Sequence, residues 1–382
     1  MRESERYQFI DVLRGIAVLL VLIIHISELY VGFAQQGKAG GRWIAEIAHQ
    51  FDFGRMGVTI FFIISGFVIP GSLSGGRFDG SVKFLLSRFF RLFPLFWLSL
   101  LFALIAQQWA SGKYPSTTDI FLNATMVPDL FSVEPINGAY WTLAVELVFY
   151  GMCLALFLLK GVKNPNVLAL LALVLTATFI DREYLHKFQM FEGKLGEYPM
   201  LLGFMFWGAL ARARFEKQGL QGFAELAYWI VAIGWLFVFP MAGFNEAYVR
   251  MHAEPDMVPR LYGSYFAAFA VFFFSIHFFK IKSAFLSFTG RISYSIYLMH
   301  GPVMYAGIYY LDNYGQSLRG KISVYLSLLV VSLATFLLSY CTYIWIEKPS
   351  QRLGKRIYSR IENRYMQKLP IGRQIGSQAR RP

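Results

Sequence analysis

Apolar runs of membrane-spanning length recur from one end of the chain to the other. A span needs about 17–25 mostly apolar residues. By that measure the runs predict helices at 8–30, 55–74, 84–108, 139–159, 165–181, 198–213, 223–242, 259–279, 291–311 and 321–346. The fifth and sixth are the shortest. No internal repeat or low-complexity stretch interrupts the pattern. The largest gaps, 31–54 and 109–138, are near the ~30-residue size of one small motif, too short for a separate soluble domain. The pattern predicts an all-α polytopic membrane protein of about ten transmembrane helices. Residues 1–346 form its membrane core and residues 347–382 a tail.

Charge orients these helices. Arg77, Lys83, Arg88 and Arg91 crowd one inter-span segment, and Lys160 and Lys163 another. Arg212, Arg214 and Lys217 follow the sixth span, and Lys280, Lys282 and Arg291 lie between the eighth and ninth. The alternate loops are neutral or slightly acidic. Basic loops stay in the cytoplasm, so the alternation predicts an even number of spans with both termini cytoplasmic. The first apolar run carries charges and lacks a small-residue cleavage site, so it is expected to be a retained span.

Composition sharpens the class. Of 382 residues 56% are hydrophobic and only 15% charged, against about 25% charged in soluble domains. That excludes a soluble body and a disordered chain. The formal charge of +13 would suggest nucleic acid on a soluble protein. Here it falls on inner loops and on the tail, where ten Lys and Arg oppose two Glu after Trp345, so no nucleic-acid partner is expected. Leu353, Ile357, Ile361, Tyr365 and Leu369 recur every four residues in that tail. This fits either a basic amphipathic helix on anionic lipid or a solvated charged helix. Cys153 and Cys341 lie in apolar runs as small hydrophobes, with no disulfide framework and no metal site expected.

Ionisable groups inside a bilayer are expensive and mark function. In the first span Asp11, Arg14 and His25 fall within about 60° of one another on a helix and share one face. Asp11 and Arg14 can pair, or Arg14 can snorkel to the interface. His25 lies about 16 Å further along, in the outer half. In the fourth span, which runs inward, Trp141 starts in the outer aromatic belt and Glu146 follows one to two turns deeper. That depth is expected to match His25, so the two could form a base with an orienting partner; an ion pair with an arginine is the other reading of Glu146. Ser65-Gly66 is a small-residue step suited to close helix packing or to a narrow passage. Arg88 and Arg91 share a face and suit phosphate, or serve as ordinary inner charge. His300 sits near mid-membrane in the ninth span, whereas His49, His186, His252 and His277 lack such context.

These motifs together resemble the integral-membrane acyltransferase-3 family, over about Phe9 to Lys355. The resemblance rests on Asp11-Val-Leu-Arg14-Gly15 with His25, then Phe61-Phe62-Ile-Ile-Ser65-Gly66-Phe67 and Arg88-Phe-Phe-Arg91-Leu-Phe-Pro94. Trp141-Thr-Leu-Ala-Val-Glu146-Leu-Val-Phe-Tyr150, Ser293-Tyr-Ser-Ile-Tyr297-Leu-Met-His300 and Ile346-Glu347-Lys348-Pro349 complete it. Val12 departs from a position that is often Gly in the family.

The resemblance implies an O-acyltransferase of the bacterial inner membrane. It would move an acyl group, most simply acetyl, from cytoplasmic acyl-CoA to a hydroxyl of an envelope or exported glycan, lipopolysaccharide included. No bound cofactor is implied; acyl-CoA is the donor substrate. His25 would act as base or carry the acyl group briefly. Glu146 would orient His25 or hold the sugar. Arg14, Arg88, Arg91, Ser65, Gly66 and His300 would line the donor path. Asp11, Trp141, Tyr150 and Tyr297 would support the acceptor or the site. Acyl-CoA, the glycan or lipid-linked glycan and membrane lipid are the expected partners. A polytopic transporter or flippase for a glycan remains the alternative, although its usual inverted repeats are not visible.

Overall fold

A computed structural model describes residues 7–34, 51–112, 114–181, 196–217, 219–238, 257–314 and 324–367. His49, His186, His252 and Leu369 lie outside them. Among the described residues the regular structure is entirely helical. In chain order the helices are α1 (Gln8–Ala34), α2 (Phe53–Val68), α3 (Arg77–Ser111), α4 (Thr117–Ala124), α5 (Trp141–Leu158) and α6 (Pro165–Ile180). Then come α7 (Tyr198–Lys217), α8 (Gly222–Ile233), α9 (Met257–His277), α10 (Ala284–Arg291), α11 (Ser293–Tyr314), α12 (Val324–Thr342) and α13 (Lys348–Gln367).

Each of the ten predicted apolar runs overlaps one of these helices, although 239–242 of the seventh and 321–323 of the tenth lie outside the described residues. Among the described residues five segments are long and apolar enough to cross a bilayer: Gln8–Ser27, Phe53–Ser72, Arg77–Trp109, Gly138–Leu158 and Leu329–Asn363. Pro165–Ile180, Gly222–Phe237 and Gly263–His277 are apolar but shorter. Large apolar side chains such as Leu101, Ile105, Leu170, Ile230, Leu333 and Leu337 are exposed on the bundle's outside. Such a surface suits hydrocarbon, where helices satisfy their own backbone groups.

Two helices arise inside segments read as loops. α4 is capped by the Ser116 hydroxyl, which accepts from the Asp119 N–H. α10 is capped by Ser283, whose hydroxyl accepts from Leu286 N–H. α10 packs along α1 at glycine contacts. A Cβ on Gly15 would strike the Leu286 carbonyl, and one on Gly290 the Asp11 carbonyl. The predicted ninth span therefore starts late, at Ser293, after a break at Ile292. At the other end, α12 passes through a π-helical turn, Tyr343–Glu347, directly into α13. The tenth span and the start of the tail form one helical run. α13 lies against α3, with Gly354 on the Phe90 ring and the Ser350 hydroxyl donating to the Phe90 carbonyl at 2.8 Å.

The sixth predicted span becomes the hub of the bundle. In α7 every residue from Tyr198 to Ala211 is buried, surrounded by α2, α5, α6 and α8. Its approach to α2 uses glycines reciprocally. A Cβ on Gly66 would collide with the Met205 carbonyl, and one on Gly208 with the Ile63 carbonyl. Small residues let membrane helices meet backbone to backbone. Gly66→Val is expected to cost about 1–3 kcal/mol of stability as an overpacking change, read as a lower melting temperature in detergent. Gly151→Val is the control, because its Cβ would meet open space. Both cysteines are free; Cys153 is buried and Cys341 partly so.

Candidate active site

The helical period of α1 sets the site's axis. Asp11, Arg14 and His25 lie on it as the sequence requires, and Arg14 pairs with Asp11 at 3.8 Å. The face carrying them opens on two cavities stacked along the bundle.

The inner cavity is lined by Arg14 of α1, Ser65 of α2, Arg91 of α3, Glu146 of α5, and Tyr294 and Tyr297 of α11, among others. Glu146 accepts hydrogen bonds from the Tyr150 hydroxyl at 2.5 Å and the Ser65 hydroxyl at 3.3 Å. Among the described residues Arg91 makes no hydrogen bond or ion pair, though its charge acts on the buried Glu347, so a cation lines the cavity free to take a hydrogen-bonding ligand. Arg88 is held differently. Its Nη2 donates to Ser72 Oγ at 2.9 Å and its guanidinium lies 5.4 Å from the Tyr150 ring. It braces Tyr150 from behind, outside the cavity lining. Glu347, at the π-helical turn, is buried and accepts from Ser295 Oγ at 2.7 Å and Gln351 Nε2 at 3.1 Å.

The outer cavity is lined by His25, Asp52, Arg55, Thr59, Trp141, Tyr265 and Tyr297, among others. Val58 and Tyr297 line both cavities. They form the partition between the chambers. Tyr297 is fixed there because its hydroxyl donates to the Ala139 carbonyl at 2.8 Å and lies 2.6 Å from Thr142 Oγ1. His25 stacks on His300, with ring centroids 5.2 Å apart and planes at 21°. His300 is buried, and its Nδ1 lacks a hydrogen-bond partner of good geometry.

The structure thus brings most of the predicted residues around one axis and redistributes several. His25 and Glu146, which similar depth could have brought together, make no hydrogen bond or ion pair with each other among the described residues. Glu146 lines the inner cavity beside Arg14, and its hydrogen bonds go to Tyr150 and Ser65. The ring stacked on His25 is that of His300. Depth counted along two separate helices ignores their offset, so similar depth did not decide contact. Gly66 faces α7 as a packing residue while its neighbour Ser65 faces the inner cavity. Trp141 faces the outer cavity with His25. His277 joins a separate cluster at the end of α9, where its Nε2 is 2.8 Å from the Tyr228 hydroxyl and its ring stacks on Trp229.

Asp52 and Arg55 were not singled out from sequence. They lie three apart at the head of an apolar run, the same spacing as Asp11 and Arg14, and that spacing was the available signal. Arg55 bonds Asp52 at 3.2 Å, Glu197 at 3.0 Å and the Tyr265 hydroxyl at 2.7 Å. Among the described residues no group of three His, Cys, Asp or Glu is arranged to hold a metal ion.

A family model described as an acyltransferase domain matches residues 7–344. The exopolysaccharide production protein ExoZ of Rhizobium meliloti (strain 1021) is 28% identical over 142 residues, which cover 35% of this chain and 44% of that protein. Nodulation protein 10 of Rhizobium leguminosarum bv. viciae is 24% identical over 271 residues, 63% of this chain and 69% of that one. The chain therefore spans less than half the length of ExoZ and about two thirds of Nodulation protein 10. No solved structure matches.

Proposed function

This chain belongs to the acyltransferase family whose motifs it carries, and we propose that it transfers an acyl group from acyl-CoA to a hydroxyl of an envelope or exported glycan. The family makes it an acyltransferase. The polysaccharide acceptor is supported by the exopolysaccharide role in the printed name of ExoZ. The observation that carries the rest is the pair of cavities meeting at Val58 and Tyr297, one with Arg91 and one with His25.

In this reading the chain crosses a bacterial inner membrane ten times with both ends in the cytoplasm. The donor's phosphates rest near Arg14 and Arg91. Its pantetheine arm runs past Ser65 and Glu146 toward the partition, and the thioester carbonyl comes within reach of His25. Unprotonated His25 takes the proton of an acceptor hydroxyl in the outer cavity as the oxygen attacks that carbonyl. The tetrahedral intermediate expels the CoA thiolate, and the imidazolium returns the proton to it. Products are the glycan ester and free CoA. Stacking by His300 fixes the His25 ring, and Glu146 with Tyr150 shapes the donor channel. The basic helix α13 leaves Leu353 and Ile361 exposed among its cations, as a helix resting on anionic lipid would.

The test uses purified full-length protein, labelled acetyl-CoA, and base-treated envelope glycan from cells lacking the gene. Label should enter the glycan as a base-labile ester with equimolar release of CoA. Export of unlabelled glycan by reconstituted protein, without ester formation, would point to transport and end this reading.

A further inference from the structure

The outer cavity holds a charged cluster that the transfer chemistry leaves unused. Asp52 caps α2 by accepting from the Arg55 N–H at 2.8 Å, and its carboxylate also pairs with the Arg55 side chain at 3.2 Å. Arg55 Nη1 donates to Glu197 at 3.0 Å and to the Tyr265 hydroxyl at 2.7 Å. The cluster is not sealed: the Arg55 and Glu197 side chains are 36% and 37% exposed. Deeper in the same cavity, Thr59 is 1% exposed, and its buried hydroxyl has no hydrogen-bond partner among the described residues. A buried hydroxyl left unpaired costs stability, and a ligand is one way to repay it. Trp141 lines the cavity as well and offers an apolar face.

We propose that Asp52, Arg55 and Thr59, with Trp141, form the acceptor subsite, and that they select an uncharged, hydroxyl-bearing sugar ring. This deepens the function proposed above and rests on it. The chemistry follows from the side chains. A locked guanidinium and carboxylate present donors and acceptors in fixed directions, as neighbouring ring hydroxyls need. Thr59 Oγ1 gains its missing partner from one of those hydroxyls. Trp141 covers the apolar face of the ring. Glu197 does not line the cavity but pairs with Arg55, so the cluster carries two carboxylates against one guanidinium, one excess negative charge beside the cavity. A carboxylate or phosphate on the contacted ring would be repelled. His25 shares the cavity, so a hydroxyl of the held ring comes to the base.

The experiment compares wild type with Thr59→Val and Arg55→Gln, using labelled acetyl-CoA and the base-treated glycan as acceptor. Both variants should raise the acceptor KM about tenfold or more, leaving the acetyl-CoA KM and acceptor-free donor hydrolysis within about twofold. Thr59→Val keeps the shape of the side chain, so it guards against a folding failure of Arg55→Gln. Methyl hexosides should inhibit wild-type transfer more strongly than the matching hexuronates. An unchanged acceptor KM in Thr59→Val, or stronger inhibition by the uronates, overturns the subsite while leaving the acyltransferase reading intact. A wild-type protein that labels no glycan overturns both.

Discussion

Replacing His25 by alanine is expected to lower the rate of acyl transfer by about 10²–10⁴-fold, the usual contribution of a positioned general base. The fall should appear in kcat, because His25 lines the outer cavity, whereas the proposed seat of the donor's phosphates is the inner one. The acetyl-CoA KM should therefore hold. His300→Ala is a useful contrast. His300 stacks on His25 at 5.2 Å but lines neither of the two chambers, so its loss frees the His25 ring without removing the base, and the fall in kcat should be smaller. Glu146→Gln gives a second contrast. Its hydrogen bonds to Tyr150 and Ser65 tie it to the inner cavity, so its effect should include the donor KM. Steady-state kinetics on variants with wild-type melting temperatures check all three. Undiminished transfer by a folded His25→Ala protein would remove His25 from the chemistry.

The contrast between His25 and Glu146 also marks where sequence reading ends. Along one helix the geometry is periodic, so the shared face of Asp11, Arg14 and His25 could be computed from 100° per residue, and the pair at 3.8 Å follows. The long apolar runs were equally readable, because a bilayer enforces their length. Between helices no such ruler exists. Whether Glu146 meets His25 or Arg14 depends on offset and tilt, which close contacts such as Gly66 on Met205 and Gly290 on Asp11 decide. The short helices α4 and α10 were hidden because eight residues carry too little periodicity to stand out from a loop. α10 matters to the site: its glycine contacts hold the end of α1 that bears Asp11 and Arg14. Asp52 and Arg55 escaped because charges at the head of a span read as interfacial. Only the fold shows that they turn inward to the cavity of His25.

Arg91→Ala should then weaken donor use by about 10- to 100-fold in the acetyl-CoA KM, the worth of a charge-assisted hydrogen bond of roughly 1.5–3 kcal/mol. Arg88, three residues earlier, is engaged by Ser72 and by the Tyr150 ring. Arg14 is engaged by Asp11. Arg91 faces the inner cavity with no hydrogen bond or ion pair among the described residues, its charge acting at longer range on the buried Glu347, so a bound phosphate breaks no existing hydrogen bond. Arg91→Lys should recover part of the loss, since an ammonium keeps the charge but not the planar fork. Acetyl-pantetheine, which lacks the nucleotide, supplies the second leg of a cycle. Wild type should favour acetyl-CoA over acetyl-pantetheine, and Arg91→Ala should lose most of that preference. An Arg88→Ala protein should retain it and instead lose kcat, because Tyr150 and its bond to Glu146 lose their brace. If Arg91→Ala keeps the wild-type ratio of the two donors, the phosphates do not rest on Arg91, and the donor enters the bundle by another route.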